Sequence, residues 1–355
     1  MKKNTLKRWL ALALSAVCMM SLVACGAKEE APAAAETETT AEAGEASAMP
    51  GEGEIYCVIM SLGQLEFFDA LKAGVCDAAN SIGAQWYYAG PQEFVPDQIV
   101  QAIDQAVANK VTGIVLHGQT EETADAVNNA IAAGVPVICV NTDIPSDRLA
   151  FLGCDPYNAG VGLAEELVKR LDGKTGTVII SSALSLAQPS AIANLEGAHS
   201  VLDAIDGIKV VEVDDPSDAN IGATNIGAAL QANSDVIGII GQQASSAVAA
   251  ATAVREAGKT GEVVIVGRDR DEATLDLIKS GEVAASFAQN SYVEGYIALQ
   301  WLHAYVNGNL KVIEGYQDYG VNPLPDSVDS GSIIINADNQ AQFRAKYVYE
   351  VTATN

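Results

Sequence analysis

Basic residues are scarce in this 355-residue chain: 20 Lys and Arg stand against 45 Asp and Glu, a formal charge of −25 at pH 7. So acidic a surface repels phosphate backbones, which argues against a nucleic-acid-binding protein. The three histidines, His117, His199 and His303, are scattered, and no H-E-x-x-H or G-x-S-x-G run occurs. A zincin or a hydrolase nucleophile elbow is therefore not encoded. Gly173-Lys174-Thr175 lacks the upstream glycine of a phosphate loop, because Val168 stands there, and the G-V-G after Ala159 lacks the third glycine of a dinucleotide fingerprint. Neither a cofactor nor a metal is implied. Cysteines are few and none forms a C-x-x-C pair. Cys57 and Cys139 lie inside apolar strand patterns and read as small buried hydrophobes rather than metal ligands or disulfide partners. Long apolar runs are missing too. The longest, Trp9 to Val23, is shorter than the roughly 20 residues a bilayer span requires.

What the N-terminus does carry is an address. Lys2, Lys3, Lys7 and Arg8 precede the apolar run, and small residues follow it, the pattern of a secretory signal over residues 1–24. Leu22-Val23-Ala24-Cys25 resembles the lipobox of bacterial lipoproteins. That resemblance implies acylation of Cys25 and a lipid anchor on the extracytoplasmic face of the cell membrane. Removal of the signal takes the formal charge from −25 to −29. Residues 25–53 are mostly Ala, Glu, Thr, Pro and Gly and cannot bury enough apolar surface to fold. They read as an acidic tether spanning roughly 30 Å.

From Glu54 onward the remaining length favours two domains. Apolar runs of four to seven residues alternate with amphipathic helices. Strand 55–60 leads to helix 67–83, 84–89 to 96–110, and 113–118 to 121–134; 135–141 and 149–154 complete the first set. The rhythm restarts at 175–181, with helices near 191–205, 219–232, 245–258 and 272–281, and ends with a long helix 292–307. Doubly apolar strands between helices indicate parallel sheets covered on both faces, hence an α/β class with two Rossmann-like lobes breaking near Asp155.

Open α/β sheets bind ligands beyond the carboxyl ends of their strands. The polar residues there are Ser61 and Gln64, His117 and Gln119, and Asn141 and Asp143 in the first half. The second half offers Ser181 and Ser182, Gln242 and Gln243, Arg268 and Asp269, and Gln289 and Asn290. Amides, hydroxyls and carboxylates of this kind suit a neutral polyhydroxylated ligand, whose hydroxyls both donate and accept. Of the aromatic pair Phe67 and Phe68, one serves the ligand and the other the core. Asp269 is expected to face the cleft and Asp271 to cap the following helix. Arg268 and Arg270 have two readings, surface pairing with carboxylates or, for Arg268, a cleft cation.

These strand-end stretches, "MSLGQLEFFDALKAG", "VPVICVNTDIP", "FLGCDPYNAGVGLAEEL" and "VVIVGRDRDEATLDLIKSGEVAASFAQNSYVEG", resemble the type I periplasmic sugar-binding family of the ribose- and galactose-binding type over essentially all of 54–355. The resemblance implies a ligand-capturing protein that closes about a hinge and delivers a sugar or polyol to an ABC permease. It implies ligand contacts at Ser61, Phe68, Asp269 and Gln289, with Asn141, Asp143, Asn194 and Gln243 at neighbouring contact positions. It also implies chain crossings near Cys154, Gln289 and Tyr319–Asn322. The first lobe is then 54–153 plus about 290–320, and the second 154–289 plus about 321–355. Three departures stand out: Thr142 and Asn194 occupy positions where the family often has arginines, and Arg268 replaces a usually apolar residue. A receptor that feeds a sugar or a furanone-type signal to a sensor is the alternative. A repressor of the same fold needs a helix-turn-helix and basic charge, which this chain does not offer.

Overall fold

The computed structural model describes residues 48–354, apart from Gln64, Leu65, Gln188, Gln317 and Ala345. The signal, Cys25, the tether up to Ser47 and Gln64 of the strand-end set lie outside the described residues.

The first half winds Ile55–Ile59 (β1), Asp69–Ile82 (α1), Gln85–Ala89 (β2), Pro96–Ala108 (α2), Gly113–Leu116 (β3), Ala124–Ala132 (α3), Val137–Val140 (β4) and Ala150–Gly153 (β5). The second repeats the plan with Pro156–Leu171 (α4), Gly176–Ser182 (β6), Pro189–Leu202 (α5), Ile208–Asp214 (β7), Ala219–Ala232 (α6), Val236–Gly241 (β8), Ser246–Glu256 (α7), Val264–Arg268 (β9), Glu272–Ser280 (α8) and Ala285–Gln289 (β10). Ser291–Val306 (α9), Ser327–Asp329 (β11) and Ser332–Ile335 (β12) complete it. Two six-stranded sheets result, with orders β11-β5-β4-β3-β1-β2 and β12-β10-β9-β8-β6-β7. Only the β10–β12 pair is antiparallel among them. The two lobes are thus the same doubly wound plan, and β4 of one corresponds to β9 of the other.

Strand alternation explains the unbroken apolar runs. Along β1, Tyr56 and Val58 pack with α1 and α9, while Cys57 and Ile59 pack with α2 and α3. In β8, Ile239 joins the core under α6, α7 and α8, and Ile240 the core under α4 and α5. Both faces are covered, so both sets must be apolar. Cys57, Cys76, Cys139 and Cys154 are all buried free thiols, and burial pushes Cys57, Cys139 and Cys154 up to about 12.

Two helix pairs pack at backbone distance. A Cβ on Gly74 of α1 would sit 2.0 Å from the Tyr292 carbonyl oxygen of α9, and one on Gly295 2.2 Å from that of Leu71. In the second lobe, Gly160 of α4 and Gly197 of α5 meet carbonyls of Asn194 and Tyr157 in the same way.

The chain passes between lobes at Cys154–Asp155, between β5 and α4, and at Asn290, between β10 and α9. The third passage was expected near Tyr319–Asn322 and falls at Ser330–Gly331, because β11 pairs with β5 in the first sheet and β12 with β10 in the second. Residues 321–355 therefore do not all join the second lobe. After Arg344, which pairs with Glu272 and Asp276 of α8, the tail returns to the first lobe. There the Tyr349 hydroxyl donates to Asp69 at 2.8 Å, and the amides of Thr352 and Ala353 donate to the Trp86 carbonyl. What draws it back is apolar: Tyr349 packs against the core that holds Trp86 and Leu152, as Val328 of β11 does.

Candidate ligand-binding cleft

Between the lobes lies a cleft of about 870 Å³. Phe67, Asn141, Asp143, Asn194, Gln243, Asp269 and Gln289, seven of the nine residues expected to contact ligand, line it. Ser61 and Phe68 do not. Ser61 is wholly buried, with its hydroxyl 2.9 Å from Nδ1 of His117, and the Phe68 ring packs 4.8 Å from the same imidazole. Phe68 is thus the core member of the aromatic pair and Phe67 the one on the cleft.

Asn141 and Asp269 follow β4 and β9, the corresponding strands of the two lobes. Both are left-handed, at φ +66° and +65°. Asn and Asp tolerate that region best among residues with a side chain, and strain of this kind collects at ligand sites. The Asn141 amide donates across the lobes to Oε1 of Gln289 at 2.6 Å. Burial, the largest influence, raises the Asp269 carboxyl above its usual range, against the opposing field of Arg268. Asp269 nevertheless keeps a partly open surface on the cleft.

Asp143 is committed elsewhere. The Arg148 guanidinium grips its carboxylate through two nitrogens and reaches Asp326 at 3.0 Å, and Asp143 foremost holds that guanidinium above its usual range. Arg148, six residues beyond Thr142, was missed in the sequence because its second partner, Asp326, lies 178 residues away.

The second-lobe wall is built of neutral amides. Asn194 and Gln242 are 2 % and 3 % exposed, and Gln242 Nε2 donates to the Asn194 carbonyl at 3.1 Å. Gln243 accepts from the Ser217 hydroxyl. On this wall Asn194 Oδ1, Gln242 Oε1 and Ser245 Oγ are buried without a hydrogen-bond partner among the described residues. Behind it Asp215, wholly buried, accepts from Ser181 at 3.2 Å and Ser246 at 2.6 Å.

Arg268 also lines the cleft, where its charge acts on Asp269 and Cys154. Arg270 stacks over the Tyr347 ring at 4.9 Å. Asp271 occupies the N-cap position of α8, but its side chain makes no capping hydrogen bond. Among the described residues no cluster of His, Cys, Asp and Glu could hold a metal ion.

Two lobes of this build, with a polar cleft at their strand ends, match a known family: residues 55–310 fit the periplasmic binding protein domain. The chain belongs to the periplasmic binding protein family. Within it, the chain is of the type I sugar-binding group, a group of binding proteins rather than enzymes, found outside the cytoplasm. It is 25 % identical over 244 residues to the D-apiose import binding protein of Actinobacillus succinogenes, covering 68 % of this chain and 78 % of the relative. The D-allose-binding periplasmic protein of Escherichia coli is 26 % identical over 250 residues, 66 % and 79 % of the two chains. Among solved structures, the sugar-binding protein of a sugar ABC transporter from Bacillus halodurans superposes with a TM-score of 0.76 at 28 % identity, over 82 % of this chain and 99 % of its own.

Proposed function

We propose that this periplasmic binding protein captures a small neutral sugar or polyol in the interlobe cleft by hinge closure and delivers it to an ABC permease. A lipid anchor at Cys25 holds it at the extracytoplasmic face of the cell membrane. The observation that carries the substrate reading is the trio of unpartnered oxygens on Asn194, Gln242 and Ser245. An unpaired buried acceptor costs about 1–3 kcal/mol, and ligand hydroxyls relieve that cost by donating. Asn141, Asp269 and Gln289 add acceptors and donors from both lobes, and Phe67 offers an aromatic face for the C–H side of a sugar ring. Thr142 and Asn194 are uncharged where the family often has arginines, in keeping with a neutral ligand. The relatives are named for apiose, allose and xylitol, all neutral and rich in hydroxyls, which supports the same class here. No finding favours the sensing alternative.

The test is a thermal-shift screen of the purified protein against neutral sugars, polyols, sugar acids and furanones. A ligand that binds the folded form raises the melting temperature by mass action, about 2.7 kcal/mol at a hundred times its Kd. Shifts confined to neutral sugars or polyols support the reading. Shifts confined to acids or furanones contradict it.

A further inference from the structure

Glu294 has no place in the ligand site, yet it is wholly buried in the first turn of α9, four residues beyond the Asn290 passage. Its Oε1 accepts from the Ser330 hydroxyl at 2.7 Å, at the third passage between lobes. Its Oε2 is buried without a hydrogen-bond partner among the described residues. Asn141 faces the carboxyl and favours its charged form, and the same amide is bound to Gln289 just before the second passage. His117, held by Ser61, is hydrogen-bonded to the same Asn141. One buried carboxyl thus joins two hinge passages to an amide that lines the cleft.

A helix that packs against the core through Ala298, Leu299 and Leu302 does not need a carboxylate here. A buried charge without an ionic partner is costly and persists only where its charge state can change or serves a purpose.

We propose that Glu294 is a positioning residue of the hinge whose proton biases the protein toward closure. Closing the lobes expels water from the cleft and brings Asp269 and Asp271 of the second lobe toward the first. Both changes disfavour a carboxylate at Glu294, so the closed form holds the proton more tightly. By reciprocity the protonated protein closes more readily.

The surroundings support a transition near neutrality. Burial raises the Glu294 carboxyl to about 7, opposed by Ser330 and Asn141 and reinforced by Asp329 of β11. Asp329 itself accepts from the Asp155 amide and Asn158. The charges around the neighbouring Cys154 are Arg268 from β9, then Asp329, Glu294 and Asp155. His117, whose imidazole burial lowers to about 4, stays neutral through this range. Asp269 is likewise raised by burial.

The experiment needs no ligand, so its failure leaves the sugar-binding reading untouched. The radius of gyration of the purified, empty protein is measured by X-ray scattering from pH 5.5 to 8.5, for the wild type, E294Q and S330A. The wild type is expected to expand as pH rises, with a midpoint near 7. E294Q, fixed in the neutral form, stays compact throughout, and S330A, which lacks a hydrogen bond to the carboxylate, shifts its midpoint upward. E294Q also melts above the wild type at pH 8, and the difference closes toward pH 5. A flat wild-type curve overturns the proposal. So does an E294Q curve that follows the wild type, which assigns the transition to another group. If E294Q does not fold, an S330A midpoint equal to that of the wild type overturns it.

Discussion

Asn141 and Asp269 stand at matching strand ends, both left-handed, one an amide and one a carboxylate. Asp269 is the residue on which ligand hydroxyls are expected to converge. Replacing it with alanine should weaken binding of the screened ligand by roughly ten- to a hundredfold, in line with about 1.5–3 kcal/mol for a hydrogen bond to a charged group. The empty protein should not suffer. Its carboxyl is raised in the folded state, so it costs stability above its folded pKa, and that cost fades as pH falls through that value. Asp269→Ala should therefore melt at or above the wild type at pH 7 while its calorimetric Kd rises; an unchanged Kd removes Asp269 from the site. Arg268 is a different case, a cation on the same wall. With a neutral ligand, Arg268→Ala should change affinity by less than tenfold, about 1.4 kcal/mol, and leave its salt dependence flat. A loss of a hundredfold or more that steepens with salt identifies an anionic ligand.

The helix pairs α1–α9 and α4–α5 set the shape of each lobe through glycines that let two backbones touch. Gly295→Ala or Gly160→Ala places a methyl within about 2 Å of a carbonyl oxygen, a contact that backbone alone can relieve. Each should cost about 1–3 kcal/mol, read as a lower urea midpoint with the slope unchanged. A midpoint equal to the wild type's means that the helices separate freely. These elements were legible in the sequence because both-face burial writes itself as apolar runs and helix periods. Strand-end positions followed from the topology, which is how Gln243 and Gln289 could be named before any contact was known, whereas Asn194, inside α5, was named only through the family resemblance. Three kinds of feature were not legible. Strand β11 is three residues long and has no period, so the return of the chain to the first lobe left no trace. Arg148 meets Asp326 across 178 residues, a pairing without local signature. Ser61 and Phe68 stand at the expected strand end but one layer below the cleft, because the turn carries Phe67 outward and packs Phe68 against His117.

At the scale of the whole molecule, two equivalent α/β lobes share a cleft, and three passages of chain join them beside it. On the proposed function such a molecule binds by closing, since each lobe holds only part of the polar set. Its expected address rests on Cys25: Cys25→Ser should move the protein from the membrane pellet to the soluble fraction, and retention after a salt wash contradicts lipid anchoring. The central claim is that a neutral, hydroxyl-rich ligand is held between the lobes by groups from both. A crystal structure with the best neutral ligand from the thermal screen tests it most directly. The account predicts a closed cleft, a ring against Phe67, and hydroxyls on Asp269, Asn141 and Gln289 with donors reaching Asn194 Oδ1 and Gln242 Oε1. A ligand bound outside the cleft, or held by one lobe alone with the second-lobe oxygens still unpaired, would contradict it.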